Sequence, residues 1–178
     1  MTTIQSELIT TQIQPQKIIS VRQFIILSIA TFGIYPLWWN YKAWIFFQQK
    51  DQLDIIPFMR TLFSIIFLYS LFTKIETYSS EKSYLHQFSK ISMFLGFLFT
   101  SILAVLPDPY WLISVCSFIF LIPAFKALNY AQKNAKELEI IEQSKFSNGH
   151  IVAITIGIIF WILVILSMWF LSLETQSL

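Results

Sequence analysis

The chain has 178 residues, of which 56% are hydrophobic and only 12% are charged. Because an ordinary soluble domain is about 25% charged, this chain has too few polar side chains to cover an apolar core in water. The composition therefore excludes an ordinary soluble domain and predicts an integral membrane protein. The net charge of +2 is spread over the loops, which argues against a nucleic-acid partner.

The N-terminal residues 1–19 are rich in Thr and Gln and contain Pro15, which predicts a polar tail. The apolar segment after this tail runs into bulky aromatic residues where a signal peptide would have small ones. We therefore expect the segment to remain in the membrane as an anchor. A single helical domain is predicted over 20–173, followed by a short tail over 174–178.

Five apolar segments approach the roughly 20 residues that a helix needs to cross a bilayer core of about 30 Å. Arg60 makes the second segment the weakest, because its side chain must reach back to the headgroups from one turn inside the helix. Pro107 and Pro109 predict a tight turn between the third and fourth segments. The result is an all-α, polytopic transmembrane bundle with spans at about 22–44, 57–75, 88–107, 109–127 and 150–173.

The basic residues indicate the orientation of this bundle. With five spans, Lys42, Lys50 and Arg60 lie on one side, and the other nine of the 12 Lys and Arg residues lie on the side of the N-terminus. The positive-inside rule then places the N-terminus in the cytoplasm, and we expect a bacterial inner membrane. In the alternative arrangement the first two segments form a re-entrant or interfacial hairpin, three helices span, and all twelve basic residues lie inside.

Two further patterns predict packing and contact surfaces. After Pro123 the fourth helix is expected to continue as a cytoplasmic helical connector over about 126–145, either as a docking site or as a solvated link. In the third segment, small residues recur at a spacing of four, which is typical of a helix-packing seam, although a chance run is the alternative. The seam residues are Ser92, Gly96, Thr100 and Ala104.

The predicted spans lack the residues that membrane enzymes and ion pathways use. Between the span ends there is no Asp, Glu, Lys or His, and Arg60 is the nearest exception. The Ser and Cys residues of the spans have no neighbouring base, and the single cysteine, Cys116, excludes an internal disulfide. We expect no catalytic residue, no cofactor and no metal ligand, and hence no enzyme.

One segment resembles a known family. Residues 31–44 read TFGIYPLWWNYKAW, and they resemble the T-x-G-I-Y-x-x-x-W-x-Y-K segment of a family of uncharacterised bacterial integral membrane proteins, a domain of unknown function. Residues 56–72, with Pro57 and Arg60, are similar to the second segment of such proteins. The resemblance implies a membrane location and brings no activity or substrate with it.

The same segment contains the candidate functional positions. Gly33 and Pro36 predict a kink or local unwinding, and the aromatic residues around them form either an interfacial belt or a ligand groove. The candidate functional or packing positions are Gly33, Tyr35, Pro36, Trp38, Trp39, Tyr41, Lys42, Trp44 and Arg60.

Our leading hypothesis is a noncatalytic membrane protein, such as an adaptor, small subunit or structural component. Its expected partners are the lipid bilayer and either a second copy of the chain or another membrane protein. The alternative is a small transporter or channel with a pathway near the kinked first span and Arg60. A third hypothesis is a lipid-modifying enzyme that uses loop carboxylates such as Asp51 and Asp54.

Overall fold

The computed structural model describes residues 13–86 and 88–176, with side chains described as far as residue 170. Within these residues the chain is mostly helical, as predicted, and one pair of short strands is added. The elements are β1 (Gln16–Ile19), α1 (Val21–Ala30), α2 (Ile34–Asp51), α3 (Pro57–Leu62), α4 (Ser64–Glu81), α5 (Lys90–Ile102), two 3-10 segments (Leu103–Val105 and Tyr110–Leu121), α6 (Ile122–Lys133), β2 (Ile140–Gln143) and α7 (Asn148–Gln176).

The first apolar segment is a helical hairpin and not the predicted single span over 22–44. Phe32 and Gly33 both have positive φ angles, of 51° and 83°, and this left-handed pair reverses the chain. The ring of Phe24 in α1 then lies 6.1 Å from that of Tyr35 and 6.0 Å from that of Trp39 in α2. The sequence predicts a break at Gly33, but it cannot distinguish a kink from a reversal, because both arms are apolar.

A hydrogen bond places the two ends of this hairpin side by side. Gln14, which precedes β1, donates its backbone N–H to Oε1 of Gln49 near the end of α2, at 3.1 Å. At the turn, the hydroxyl of Thr31 donates to the carbonyl of Leu27 and accepts from the backbone N–H of Tyr35. These bonds satisfy groups that the two helix ends would leave free.

The second apolar segment is a hairpin as well, so the predicted span over 57–75 is also divided. Pro57 begins α3, which has only 6 residues before the chain turns at Phe63. The returning helix α4 reaches the end of α2, where Nζ of Lys74 lies 2.8 Å from Oδ2 of Asp51. Local apolar composition again predicts the segment but not its reversal.

The third hairpin joins α5 to the 3-10 segment Tyr110–Leu121 through the predicted turn at 106–109. The two rods pack closely at Gly96, where an added Cβ would lie 2.2 Å from Cε1 of Phe120. The second rod continues through Pro123 as α6 as far as Lys133. It therefore extends beyond the predicted span over 109–127.

Only the first part of the predicted helical connector over 126–145 is helical. The helix ends at Lys133, and the strand β2 follows at Ile140–Gln143. This strand pairs in parallel with β1, with Gln16 opposite Ile140 and Ile19 opposite Gln143. The prediction is wrong here because a tertiary partner about 120 residues away overrides local helix propensity. The predicted tail 1–19 is corrected in the same way at residues 16–19, whereas its residues 1–12 lie outside the described residues.

The last helix, α7, has 29 residues and is about 44 Å long at 1.5 Å per residue. It agrees with the predicted span over 150–173 and continues into the predicted tail as far as Gln176, while 177–178 lie outside the described residues. It crosses α1 at Gly157, where an added Cβ would lie 1.9 Å from the carbonyl oxygen of Ala30. Nearby, Nε1 of Trp161 donates to the carbonyl of Ile29 at 3.0 Å.

Two helices of the described chain, over Tyr110–Lys133 and Asn148–Phe170, are long and apolar enough to cross a membrane by length and composition. The core lies around α2 and combines aromatic with aliphatic side chains. Its fully enclosed aromatic side chains are Phe24, Trp44, Phe46, Phe47, Phe72 and Phe125. The arrangement leaves the strands at one end of the molecule and the turns at 31–33 and 106–109 at the other.

Candidate ligand cavities

Two cavities border α2, one at each end of the molecule. We call the larger one, of about 580 Å³, the strand-end cavity, and the smaller one, of about 210 Å³, the turn-end cavity. The first lies between β1, β2, α2, α6 and the start of α7. The second lies beneath the turn at 31–33, between α2, α4, α5 and the 3-10 segment. Both are bounded by residues from distant parts of the chain.

The strand-end cavity has a positively charged lining. Lys17 from β1 and Lys42 from α2 both border it, and its described lining residues include no Asp or Glu. The Lys42 ammonium lies 5.1 Å from the centre of the Trp38 ring, a cation–π contact. Neither lysine forms an ion pair with a carboxylate of the described residues. The cavity therefore has two positive charges without a counter-charge.

Two carboxylates close to this end of the molecule, Asp51 and Glu137, are paired with other lysines. Burial would raise the pKa of Asp51, but hydrogen bonds from Lys74 and Lys50 outweigh it and hold the pKa below its ordinary value. Burial would likewise raise the pKa of Glu137, but interactions led by the hydrogen bond from Lys82 at 2.6 Å lower it. These two carboxylates therefore do not compensate the charges of Lys17 and Lys42.

Side-chain amides fix one wall of the strand-end cavity. Asn129 of α6 donates to the carbonyl of Ile19 at 3.0 Å, and Gln132 of α6, which is 6% exposed, lies 3.4 Å from Oε1 of Gln16. Gln16 in turn donates to the carbonyl of Gln14 at 2.7 Å. This chain of amides ties β1 to α6, so that the polar wall is held by tertiary structure.

The start of α7 forms another wall. Ser147 and His150 both border the cavity, and the Ser147 hydroxyl accepts the backbone N–H of His150 at 3.3 Å. The ring of His150 lies 5.6 Å from that of Tyr35, and its Nδ1 is buried without a hydrogen-bond partner among the described residues. The free N–H groups of a helix start give this wall additional positive potential.

The turn-end cavity has no charged residue in its described lining. The lining includes Asn40 of α2, which is 3% exposed and whose Oδ1 has no partner within the described chain. The rest of the lining combines small residues and hydroxyls with larger apolar side chains: Gly33, Pro36, Ser64, Ala104, Ser101, Ser114 and Ser117, with Phe32, Leu37, Leu68, Phe97, Val115 and Leu121. A cavity of this type suits a neutral, largely apolar group with one hydrogen-bonding atom.

An aromatic cluster lies beside the strand-end cavity. Phe24 stacks on Phe125 with ring centres 4.4 Å apart, and the rings of Trp39 and Phe118 lie 6.0 and 6.5 Å from Phe24. All four side chains are buried. Trp39 and Phe125 border the strand-end cavity, and none of the four side chains borders the turn-end cavity.

The candidate positions predicted from the sequence are divided between these two sites. Tyr35, Trp38, Trp39 and Lys42 border the strand-end cavity, whereas Gly33 and Pro36 border the turn-end cavity. Tyr41 packs on Trp38 at 5.6 Å. Trp44 and Arg60 lie outside the lining of both cavities, with the guanidinium carbon 4.5 Å from the centre of the indole ring.

The predicted seam of α5 is only partly brought together. Gly96 packs on Phe120, the hydroxyl of Thr100 donates to the carbonyl of Gly96, and Ala104 borders the turn-end cavity. Ser92 lies exposed near the start of the helix. Sequence reasoning missed Lys17, Asn129, Gln132 and Gln143 as cavity residues, because no local pattern links four residues from β1, α6 and β2.

Within the part of the chain that the structure describes, no three His, Cys, Asp or Glu side chains converge to hold a metal ion. No protein-family model, curated protein or solved structure matches this chain. The proposals that follow therefore depend on the geometry of the chain itself.

Proposed function

We propose that this chain is a noncatalytic integral membrane protein that holds a ligand in the strand-end cavity, at the cytoplasmic face of a bacterial inner membrane. Three helical rods span the bilayer in this proposal: Lys90–Val105, Tyr110–Lys133 and α7. The hairpins α1–α2 and α3–α4 enter from the cytoplasmic face and return to it. This is the three-span alternative, and it replaces five separate spans.

The distribution of basic residues is the observation on which this topology depends. The first and third hairpins have basic residues near both of their ends, and each of the three hairpins returns to the end of the molecule from which it started. In the second hairpin Lys74 lies on the returning helix, whereas Arg60 lies three residues before the turn at Phe63. None of the 12 Lys and Arg residues then faces the outside of the cell, as the positive-inside rule favours. The flanking pairs are Arg22 and Lys50 for the first hairpin, and Lys90 and Lys126 for the third.

Helix length and surface composition support the same arrangement. The 10 residues of α1 extend about 15 Å, half of a bilayer core of about 30 Å. Large aliphatic side chains face outward on several elements: Ile34 is 67% exposed, Ile66 69% and Ile165 61%. An apolar exterior on several elements fits hydrocarbon as the surrounding solvent.

The chemistry of the strand-end cavity supports binding over catalysis. Its described polar groups are lysine ammoniums, amides, a phenol, a hydroxyl and one imidazole. No carboxylate among them could orient the imidazole as a base. An adaptor or small subunit that holds its ligand fits these groups best.

Cysteine labelling tests the topology. In a Cys116→Ser background, a single Asp54→Cys lies between α2 and α3, inside the cell in the three-span arrangement and outside it with five spans. Lys136→Cys and Asp108→Cys serve as inside and outside controls in both arrangements. We expect an impermeant maleimide to label residue 54 only after permeabilisation, as it labels residue 136. Labelling in intact cells, as at residue 108, would overturn the three-span proposal.

The second candidate function is a small transporter. Its support is the pair of cavities on α2, one at each end of the molecule. A transporter would move the buried Phe24–Phe125 cluster beside the strand-end cavity and expose the turn-end cavity to both sides in turn. Ser117→Cys in the Cys116→Ser background tests this: labelling from the cytoplasmic side favours transport, and labelling confined to the other side, or none, favours a holding role.

A further inference from the structure

We infer that the strand-end cavity binds a phosphate group, either as the headgroup of an anionic phospholipid or as a free phosphate ester. The inference rests on the proposed function, because it names the ligand class of that site. It depends on four features of the cavity: charge, hydrogen-bond donors, size and rim.

The charge of the cavity favours an anion. Lys17 and Lys42 come from different elements and lie on the same cavity without a carboxylate among the described lining residues. The neighbouring carboxylates Asp51 and Glu137 are occupied by other lysines. Because both ammonium groups border the same cavity, an anion bound there could accept charge-assisted hydrogen bonds from both of them.

The remaining polar groups supply donors of the kind that phosphate oxygens accept. The start of α7 forms the wall that contains Ser147 and His150, and the N-terminal end of a helix favours a bound anion. Nδ1 of His150 is buried and unpartnered within the described residues, and it donates when that nitrogen carries the proton. The side chains of Tyr35 and Gln143 also border the space. A phosphate has enough acceptor oxygens to use several of these donors together.

The size and rim of the cavity indicate a ligand larger than inorganic phosphate. A volume of about 580 Å³ lies in the range of small-molecule sites, about 300–1,000 Å³. Trp38 borders the cavity and is 51% exposed, a position typical of an indole at headgroup level. Basic pockets at the cytoplasmic ends of membrane helices commonly bind anionic headgroups. A phospholipid could place its phosphate among the lysines and its chains beside Trp38.

The test is a titration of the purified full chain with phosphatidylglycerol, read as bound lipid by native mass spectrometry. The cavity variant Lys17→Gln/Lys42→Gln is compared with Lys126→Gln/Lys136→Gln, which removes the same charge from exposed positions outside the cavity. We expect the cavity variant to lose affinity by about tenfold or more and the matched control to lose less than about twofold. Lys17→Arg/Lys42→Arg should retain binding, and unchanged circular dichroism confirms that each variant is folded.

A second arm distinguishes the two sources of phosphate. Inorganic phosphate at millimolar concentration should compete with the lipid if the headgroup phosphate is what the cavity recognises. Binding of inorganic phosphate without phosphatidylglycerol would support the same chemistry with a soluble ligand. Binding of neither probe, or equal losses in the cavity variant and its control, would overturn the inference. The labelling at residue 54 needs no ligand, so its outcome is independent of this one.

Discussion

Helices α2 and α7 reverse the usual relation between hydrophobicity and burial. The helix α7 is uninterruptedly apolar over Ile151–Leu173, yet only 6% of its most apolar window is buried, against 39% for the rod over Tyr110–Lys133. The helix α2 contains Asn, Gln and Lys residues, yet it buries Trp39, Trp44, Phe46 and Phe47. On α7 most of the aliphatic side chains face outward, whereas α2 buries aromatic side chains, and aliphatic residues such as Leu27 and Leu68 complete the core.

The physical reason is the solvent that we propose for the exterior. In water, burial of apolar surface drives helices together, whereas lipid tails are as apolar as leucine and give no such preference. Interior positions are then favoured by close packing and hydrogen bonding. Hydrophobicity alone would therefore not distinguish the core from the exposed face of α7.

The contrast in burial between α2 and α7 predicts its largest effect on stability at Trp44. The Trp44 side chain is fully buried and stacks on Arg60. Trp44→Ala should lower the free energy of unfolding by about 3–5 kcal/mol, because it opens a cavity in the core. Leu163→Ala, at a position 57% exposed on α7, should change it by about 0.5 kcal/mol or less. Denaturant unfolding in micelles, followed by circular dichroism, measures both. Equal losses would show that α7 is packed as tightly as α2.

A smaller effect is expected where the two regions meet, at the crossing of α7 and α1. An added Cβ at Gly157 would lie 1.9 Å from a backbone oxygen that cannot move aside easily. Gly157→Leu should therefore destabilise the protein by about 1–3 kcal/mol. The matched control is Gly149→Ala on the same helix, where the nearest atom is 3.9 Å away. If both substitutions leave the melting temperature unchanged, the contact between α7 and α1 is not part of the stable fold.

The smallest effect concerns the polar end of α2. Because Lys74 and Lys50 lower the pKa of Asp51 in the folded chain, its ionised form stabilises the fold above the ordinary carboxyl pKa. This contribution is lost as the pH falls through the lowered pKa. Between pH 7 and pH 3 the unfolding free energy should therefore fall further in the wild type than in Asp51→Asn. We expect the difference between the two falls to be about 1 kcal/mol at most.

Asp54→Asn is the control for this pH dependence. Asp54 is exposed and makes no ion pair with a described residue, so its substitution removes the same charge without removing a contact. We expect this variant to keep the acid sensitivity of the wild type. If Asp54→Asn reduced the acid sensitivity as much as Asp51→Asn does, the effect would be due to net charge and not to the Lys50–Asp51–Lys74 contact.

The sequence predicts the features of this fold that depend on local chemistry. Apolar composition predicts the helices, Pro107 and Pro109 predict the turn at 106–109, and Gly33 predicts a break in the first segment. It does not predict that Phe32 also adopts a left-handed conformation, which converts a kink into a hairpin. Counting apolar residues cannot detect this reversal, since a folded segment and a straight one have the same composition.

The sequence predicts only part of the lining of the strand-end cavity. Tyr35, Trp38, Trp39 and Lys42 were selected from one local motif, and all of them border it. Their partners on β1, α6 and β2 are polar residues in segments without a motif. What joins them is tertiary pairing over about 120 residues, which no local window contains.

The parallel pairing of β1 with β2 also limits when the N-terminal part of the chain can fold during synthesis. Gln16–Ile19 pairs with Ile140–Gln143, so the first strand has no partner until the ribosome has synthesised the second. During most of translation the α1–α2 hairpin therefore lacks both α6 and α7, the helices against which it later packs. The N-terminal segment is therefore synthesised first, but its strand can pair with β2 only late in translation.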